Sequence, residues 1–408
     1  MYKYFDGSFA RSGRCFTFMP MARKKILWLC SWYPDRVQPF NGDFVQRHAR
    51  AAALYNDIYV VHVAGDPAMM KKQEEFVTVS QGLTEVVVYY KNNNSFYSKV
   101  INHLRWLRCT KEAVEKYISV NGLPDLVHVH VPFKMGIIAR WLKKKYSLPY
   151  VVTEHWTIYQ PQSPVSYKSQ NFFIRNILRS AVQSCDKLVP VSSNLGELMN
   201  EQVAKKGFSV LDNAVDTSCF NYEEKNSEAD IFCFIHVSSM NSLKNAEGLL
   251  RAFSALLQAG GNAELDMVGD TTPGIRNYAA ALEFPEGIVR FHGEVSNTEV
   301  AAFMRKADCF VLFSNIENSP CVIGESLCCG LTVIATTVGG ISELVTEENG
   351  ILVAAGDEIA LAAAMKKVSE NYSMFDRKEI AENALSRFSY PVIGKKIDEI
   401  YQSLLTGN

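Results

Sequence analysis

The chain has 408 residues, 48% of them hydrophobic and 21% charged, with a formal net charge of −1. That is a globular composition, long enough for two domains of roughly 200 residues each. No apolar run reaches the roughly 18 residues of a membrane span, and ten cysteines without a Cys-x-x-Cys pair read as small buried residues of a reducing, cytoplasmic compartment, the neighbours Cys328 and Cys329 included.

Residues 1–20 scatter Phe5, Phe9 and Phe16 among Gly and Ser, with neither a signal-peptide core nor a strand or helix period. They read as a disordered extension. Met21-Ala-Arg-Lys-Lys then runs into an apolar strand and looks like a natural start. Strands are expected over 26–30, 58–63, 85–89, 126–130, 150–153 and 188–191. Helices are expected over 43–54, 102–117, 133–146 and 171–184, punctuated by Gly122-Leu-Pro124 and Pro149. A break is expected near 211–216, followed by a polar, acidic stretch. Strands resume over 231–237, 263–268, 289–292, 309–313 and 332–336. A last helix over 390–405 carries Val392, Ile393, Ile397, Ile400 and Leu404 on its apolar face. Such alternation implies parallel sheets covered by helices, and two runs of it imply two doubly wound domains with ligands at the carboxyl ends of the strands.

Charge is divided unevenly along the chain. Residues 1–212 hold 28 Lys and Arg against 16 Asp and Glu, and residues 213–408 hold 14 against 27. A basic first half suits an anionic partner. No nucleic-acid module is visible, so a membrane surface bearing lipid phosphates leads. Phe172, Phe173, Ile177 and Leu178 lie near Lys168, Arg175 and Arg179, and Arg140 lies near Lys143–Lys145. The plain alternative is a core face with solvated lysines.

The densest chemistry lies in 315–344. Asn318-Ser319-Pro320-Cys321-Val322 passes from a loop into a helix, with Ser319 expected as N-cap, Pro320 as first helical residue, and Gly330 as the stop after Cys329. Glu317 stands above that helix start and Glu325 one turn below it. Free amides at a helix start attract a phosphate, and each carboxylate accepts two hydroxyl hydrogen bonds. A sugar nucleotide has hydroxyls on both sides of its phosphates.

Glu-x7-Glu, then Cys-Gly, an apolar strand and Gly339-Gly340-x-x-Glu343 resemble the donor site of the retaining glycosyltransferases of family 4. The resemblance implies the two-domain GT-B fold: an N-terminal acceptor-side domain over 21–212, joined by a crossing helix over 389–408, and a sugar-nucleotide-binding domain over 213–388. Leu211-Asp-Asn-Ala-Val-Asp216 resembles the family's Asn-Gly-Val-Asp hinge, with Ala214 for Gly. The resemblance assigns Glu317 to the transferred sugar and Glu325 to the ribose, with Asn318, Ser319, Pro320, Cys321 and Val322 around the donor. Lys244 stands where the family has a phosphate-binding Lys. Ser238 and Ser239 stand where it usually has an Arg, which leaves a slower enzyme, a different phosphate clamp or an inactive one open. Ser31-Trp-Tyr-Pro34 with Asn41-Gly42 matches the glycine loop. His155, with Trp156 beside it, matches the strand-end His that touches the sugar, although Glu154 and His155 also suit a structural pair. His130 is a further acceptor-side candidate.

No Asp-x-Asp and no His/Cys cluster with metal spacing is present in the sequence, so no metal and no cofactor are expected. The expected reaction is transfer from a nucleotide-sugar donor to a glycan or lipid-linked acceptor, as in bacterial surface polysaccharide synthesis, by front-face displacement. The expected place is the cytoplasm or the inner face of the membrane. A non-catalytic sugar-nucleotide-binding partner subunit is the alternative. A same-fold epimerase would need an acid/base set on both domains, which the sequence does not show.

Overall fold

The structure is a computed structural model that describes residues 23–92, 98–224, 231–269 and 273–406. The expected extension over 1–20 and the start at Met21 lie outside the described residues.

The first sheet is built from β1 (Lys25–Cys30), β2 (Asp57–Asp66), β3 (Gln73–Ser80), β4 (Leu83–Lys91), β5 (Leu126–His130), β6 (Tyr150–Glu154) and β7 (Lys187–Pro190). Its order is β3-β4-β2-β1-β5-β6-β7. Helices α1 (Asp43–Ala52), α2 (Ser98–Asn121), α3 (Pro132–Tyr146), α4 (Phe172–Ser184) and α5 (Ser193–Gln202) connect its strands or follow them. The expectation of parallel strands alone is corrected at one edge: β3 pairs antiparallel with β4, from Gln73 opposite Tyr90 to Ser80 opposite Leu83. β3 escapes a hydrophobicity reading because six of its eight residues face solvent.

The second sheet is wholly parallel, in the order β10-β9-β8-β11-β12-β13. It comprises β8 (Phe232–Val237), β9 (Ala263–Val268), β10 (Val289–Gly293), β11 (Cys309–Leu312), β12 (Thr332–Thr336) and β13 (Gly350–Val353). Between and after its strands come α6 (Ala246–Gln258), α7 (Pro273–Ala281), α8 (Asn297–Lys306), α9 (Cys321–Cys328), α10 (Glu358–Glu370) and α11 (Arg377–Phe388). Strand order reverses direction between β1 and β5 in one sheet and between β8 and β11 in the other. Those are the points where a doubly wound sheet opens a crevice at its carboxyl ends. Cys328 and Cys329 are buried in the core of the second domain, and burial pushes both thiols up. That is the packing role expected of them.

The last helix, α12 (Tyr390–Leu405), lies in the first domain although it follows the second. Ile393, Ile397 and Tyr401 join the core formed by β1, α1 and their neighbours. The Tyr401 hydroxyl accepts from Trp28 Nε1 at 3.0 Å and contacts His128 Nδ1 at 2.7 Å. The approach of α12 to α1 depends on Gly394, because a Cβ there would stand 2.1 Å from the Ala51 carbonyl oxygen.

Gly394→Ala sets two effects against each other. Helix propensity gains about 1 kcal/mol, while overpacking costs about 1–3 kcal/mol. The obstacle is backbone rather than a movable side chain, so overpacking wins. The urea midpoint should fall with little change in the denaturant slope.

Candidate functional site

A cleft of about 470 Å³ lies between the two sheets. Its floor on the second domain is the turn after β11. Glu317 and Glu325 are both buried and both line the cleft. Lys244 Nζ meets Glu317 Oε1 at 2.5 Å, and Ser314 Oγ donates to the same oxygen at 2.8 Å. Lys244, just ahead of α6, is thus mostly buried and ion-paired. Gly339 approaches this turn so closely that a Cβ would stand 1.9 Å from the Glu317 carbonyl oxygen, and its φ of +58° also favours glycine.

The helix start differs from expectation by one residue. Pro320, with ψ of 120°, is the N-cap of α9, and no side chain caps the helix. Ser319 is instead held by its carbonyl, which accepts from Asn213 Nδ2 at 2.7 Å. Proline adopts the extended backbone of a cap and lacks the donor that a cap leaves unused. The first turn of α9 thus has no side-chain cap, and Asn318, Ser319, Pro320, Cys321 and Val322 line the cleft together.

The first domain supplies the opposite wall. Arg47, on α1, reaches across to donate through NH1 to Glu325 Oε1 and through NH2 to Asp43 Oδ2 at 3.0 Å. Burial opposes its charge, but Glu325 and Asp43 outweigh burial and keep the guanidinium ionised. Sequence reasoning missed Arg47. Its only signal was an Asp43/Arg47 pair at i, i+4 on the polar face that Gln46 and Arg50 share. Gly42 caps α1 in the left-handed region, with φ of +74°, where a Cβ would stand 2.5 Å from the Trp32 carbonyl carbon. It shapes the loop without lining the cleft.

Ser239 lines the cleft and accepts from Asn241 Nδ2 at 3.0 Å. Ser238 Oγ contacts His236 Nε2 at 2.7 Å and accepts from the Met240 amide at 2.9 Å. His155 lines the cleft, and its carbonyl accepts from Asn318 Nδ2 at 2.9 Å. Gln160 Nε2 donates to Asn318 Oδ1 at 2.8 Å, so one asparagine ties both domains. Glu154 Oε1 accepts from the amides of His155 and Trp156 at 2.8 and 3.0 Å, and Oε2 accepts from Tyr159 at 2.9 Å. Burial pushes its carboxyl up to about 7, against those three bonds. Glu154 therefore holds the strand end through backbone amides rather than through the imidazole.

His130 does not reach the cleft. It is fully buried, stacked on Trp28 with centroids 4.1 Å apart. Trp156 packs edge-on against Trp32 and Phe133, at 5.8 and 5.7 Å. His48, His130 and His155 each place one ring nitrogen within 4.8 Å of the others. They come from three separate elements, so no sequence spacing announces them. Among the described residues they form the group that could hold a metal ion.

Two facing α/β domains, with paired carboxylates and cations in the cleft, define a class of two-domain transferase, and comparison with known proteins gives the family. The family model described as Glycosyltransferase Family 4 matches residues 42–218, and that described as Glycosyl transferases group 1 matches residues 232–371. The chain belongs to this group 1, family 4-type glycosyltransferase family, and its fold is GT-B. It is 28% identical over 369 residues to the putative teichuronic acid biosynthesis glycosyltransferase TuaC of Bacillus subtilis, covering 84% of this chain and 88% of that one. It is 21% identical over 307 residues to the alpha-monoglucosyldiacylglycerol synthase of Streptococcus pneumoniae, covering 70% and 67%. Its fold matches sucrose-phosphate synthase from Thermosynechococcus elongatus with a TM-score of 0.76 at 18% identity, over 94% of this chain and 100% of that one. It matches Anabaena HepE in complex with UDP with a TM-score of 0.70 at 19% identity, over 93% and 100%.

His236 gives this site a pH signature. Burial, and secondarily Lys244, lower its imidazole from 6.5 to about 4, against a hydrogen bond to the Val311 carbonyl. Between those values the unfolded chain binds the extra proton. Stability from this group is therefore present above 6.5 and lost as pH falls through 4. His236→Asn should reduce the slope of unfolding free energy against pH in that window by up to about 1.4 kcal/mol per pH unit, measured by urea unfolding at several pH values.

Proposed function

We propose that this glycosyltransferase moves a sugar, with retention of anomeric configuration, from a nucleoside diphosphate sugar held in the cleft to a glycan or lipid-linked acceptor, without a metal ion. The observation that carries the reading is the pair of buried carboxylates flanking the uncapped start of α9, each already matched to a cation. Hydroxyls of the transferred sugar would take Glu317, and ribose hydroxyls would take Glu325. The diphosphate would lie between them, against the first amides of α9 and Lys244. His155 faces the sugar from the opposite wall. No enzymic nucleophile is invoked, because the donor phosphate itself receives the acceptor's proton.

The missing family Arg at Ser238 and Ser239 has a physical replacement in this reading. Arg47 brings a guanidinium from the first domain into the same cleft. A guanidinium held by carboxylates keeps its charge and its fork of donors, and Glu325 Oε2 is left to accept a ribose hydroxyl. This favours an active enzyme over a non-catalytic partner subunit. TuaC, by its name, serves polysaccharide synthesis and the streptococcal relative, by its name, makes a glycolipid; HepE binds UDP. UDP and UDP-sugars are therefore the first donors to test.

Glu325→Ala should weaken UDP and UDP-sugar binding alike, by about ten-fold or more. Glu317→Ala should chiefly lower turnover. Transfer should persist in excess EDTA, and NMR of the product should show the donor's anomeric configuration. Wild-type kinetics in both variants, or dependence on added magnesium or manganese, would overturn the assignment. The EDTA arm also asks whether the histidine cluster carries a required ion.

A membrane-bound acceptor would suit the tip of α4. Phe172 and Phe173 are 69% and 76% exposed, beside exposed Lys168, Arg175 and Arg179, while Leu178 belongs to the core. Lys143 is spent on Asp186 at 2.7 Å and adds little. No helix among the described residues is long and apolar enough to cross a membrane. Each basic residue near an anionic leaflet contributes about 1 kcal/mol. Co-sedimentation with anionic vesicles should be salt-sensitive, and it should be lost on changing Phe172 and Phe173 to Ser with Arg175 and Arg179 to Gln. Equal absence of binding to neutral and anionic vesicles at low salt would favour a soluble acceptor.

A further inference from the structure

The first domain holds a second cavity, of about 280 Å³, over the point where β1 and β5 part. Trp32, Trp106 and Phe133 give it aromatic walls, and Lys134 lines it as well. It adjoins the cleft through Trp156, whose ring packs on Trp32 and Phe133 and whose chain neighbour His155 faces the donor side.

The charges here are matched except for one. The Asp35 carboxylate accepts from the amides of Val37 and Gln38 at 2.6 and 3.1 Å and faces His62 Nε2 at 3.4 Å. The other nitrogen of His62 faces the Cys30 carbonyl at 2.9 Å. Both members of that pair are used. Lys134 has no hydrogen-bond or ion-pair partner among the described residues. Its ammonium meets only the ring faces of Trp106 and Phe133, at 5.5 and 5.9 Å. Burial lowers its pKa, the sign of a cation without an anion. Lys134 is also the third residue of α3, whose N-cap, Val131, offers no side-chain acceptor, so the positive end of that helix adds to the same field. Lys134 is half-buried, and an ammonium partly withdrawn from water with no counterion is costly unless a ligand supplies one.

We infer that this cavity is the acceptor subsite and that the acceptor sugar placed there carries an anionic group, a carboxylate or a phosphate, that pairs with Lys134. The aromatic walls take the apolar faces of the ring, and the ammonium takes the charge. A neutral sugar would stack equally well but leave Lys134 unmatched. The inference rests on the transferase reading of the cleft and adds the chemical class of the acceptor.

The test uses the full chain with UDP present to fill the donor cleft, and UDP affinity measured separately. Binding of methyl glucuronide, methyl glucoside and glucose 6-phosphate is compared by saturation-transfer NMR. At least one anionic sugar should bind about ten-fold or more tighter than the glucoside, and the tighter of the two names the anion. Lys134→Gln should abolish the preference with UDP affinity unchanged, and Lys134→Arg should restore it. Equal binding of charged and neutral sugars, a preference that survives Lys134→Gln, or no binding of any of the three while UDP binds would overturn the inference. Failure of UDP itself to bind would instead strike the donor reading, and the response to Lys134→Gln would still be read on its own.

Discussion

The cleft between the two domains hangs on one buried ion pair. Arg47 of the first domain and Glu325 of the second meet where water is nearly excluded. Desolvating two charges is expensive, and a buried pair gains little over an apolar contact. Removing one partner is a different matter, because it strands the other charge and costs about 3–5 kcal/mol. The pair therefore fixes which surfaces face each other more than it adds stability. Asn318, bonded to both His155 and Gln160, repeats the constraint with neutral groups. Glu343 adds a third tie: its carboxylate accepts from the amides of Ser193 and Asn194 at the start of α5, at 2.8 and 3.0 Å. An anion at a helix N-terminus is favourable in itself, and here it belongs to the other domain.

The same contacts order the chemistry. Each carboxylate proposed to hold part of the donor is preset by a cation, Glu317 by Lys244 and Glu325 by Arg47. Neither side chain needs to find its position when a ligand arrives, so little reorganisation is left for the binding step. On the proposed reading the cations would do double duty, since a diphosphate entering between them would find cations already in place. In the proposed reading, that is how Ser238 and Ser239 would be tolerated. The positive charge that the family usually carries after the first strand of the second domain would then come from Arg47 on the opposite wall.

Much of this was legible in the sequence because the signals are local. Apolar runs of strand length gave eleven of the strands their places, and the motif from Glu317 to Glu343 occupies consecutive elements of one domain. What stayed hidden depends on contacts between distant segments or on edges. β3 is an exposed edge strand whose residues alternate no apolar face. Pro320 displaced Ser319 as the cap because Asn213, from the linker between the sheets, claims the Ser319 carbonyl. Arg47 looks like any helix-surface arginine until the second domain closes over it. His48, His130 and His155 gather only once three elements pack. His130, at the end of a strand, reads as a site residue by position, but its ring turns inward onto Trp28.

The opposed charge of the two halves gains a second meaning from these contacts. A basic first half and an acidic second half, in a chain that is nearly neutral overall, attract each other across the cleft as well as attracting outside partners. Arg47 on Glu325 uses that attraction inside the cleft. Lys24 on Asp398, at 2.8 Å, uses it to hold α12 against the first domain. Asp212 of the linker runs the other way, taking Arg387 and Lys396 from the second half at 2.7 and 3.2 Å, so the hinge itself is clamped by local pairs rather than by the global field. Exposed charges separated by more than about 8–10 Å are screened at physiological salt, while buried pairs are not. The global asymmetry therefore acts mainly on approach, whether of one domain to the other or of an anionic ligand to the first. The final geometry is set by the few charges that end up buried. Lys134 is the exception that gives the field a direction: it is half-buried and has no anionic partner among the described residues, in the half that carries the positive excess.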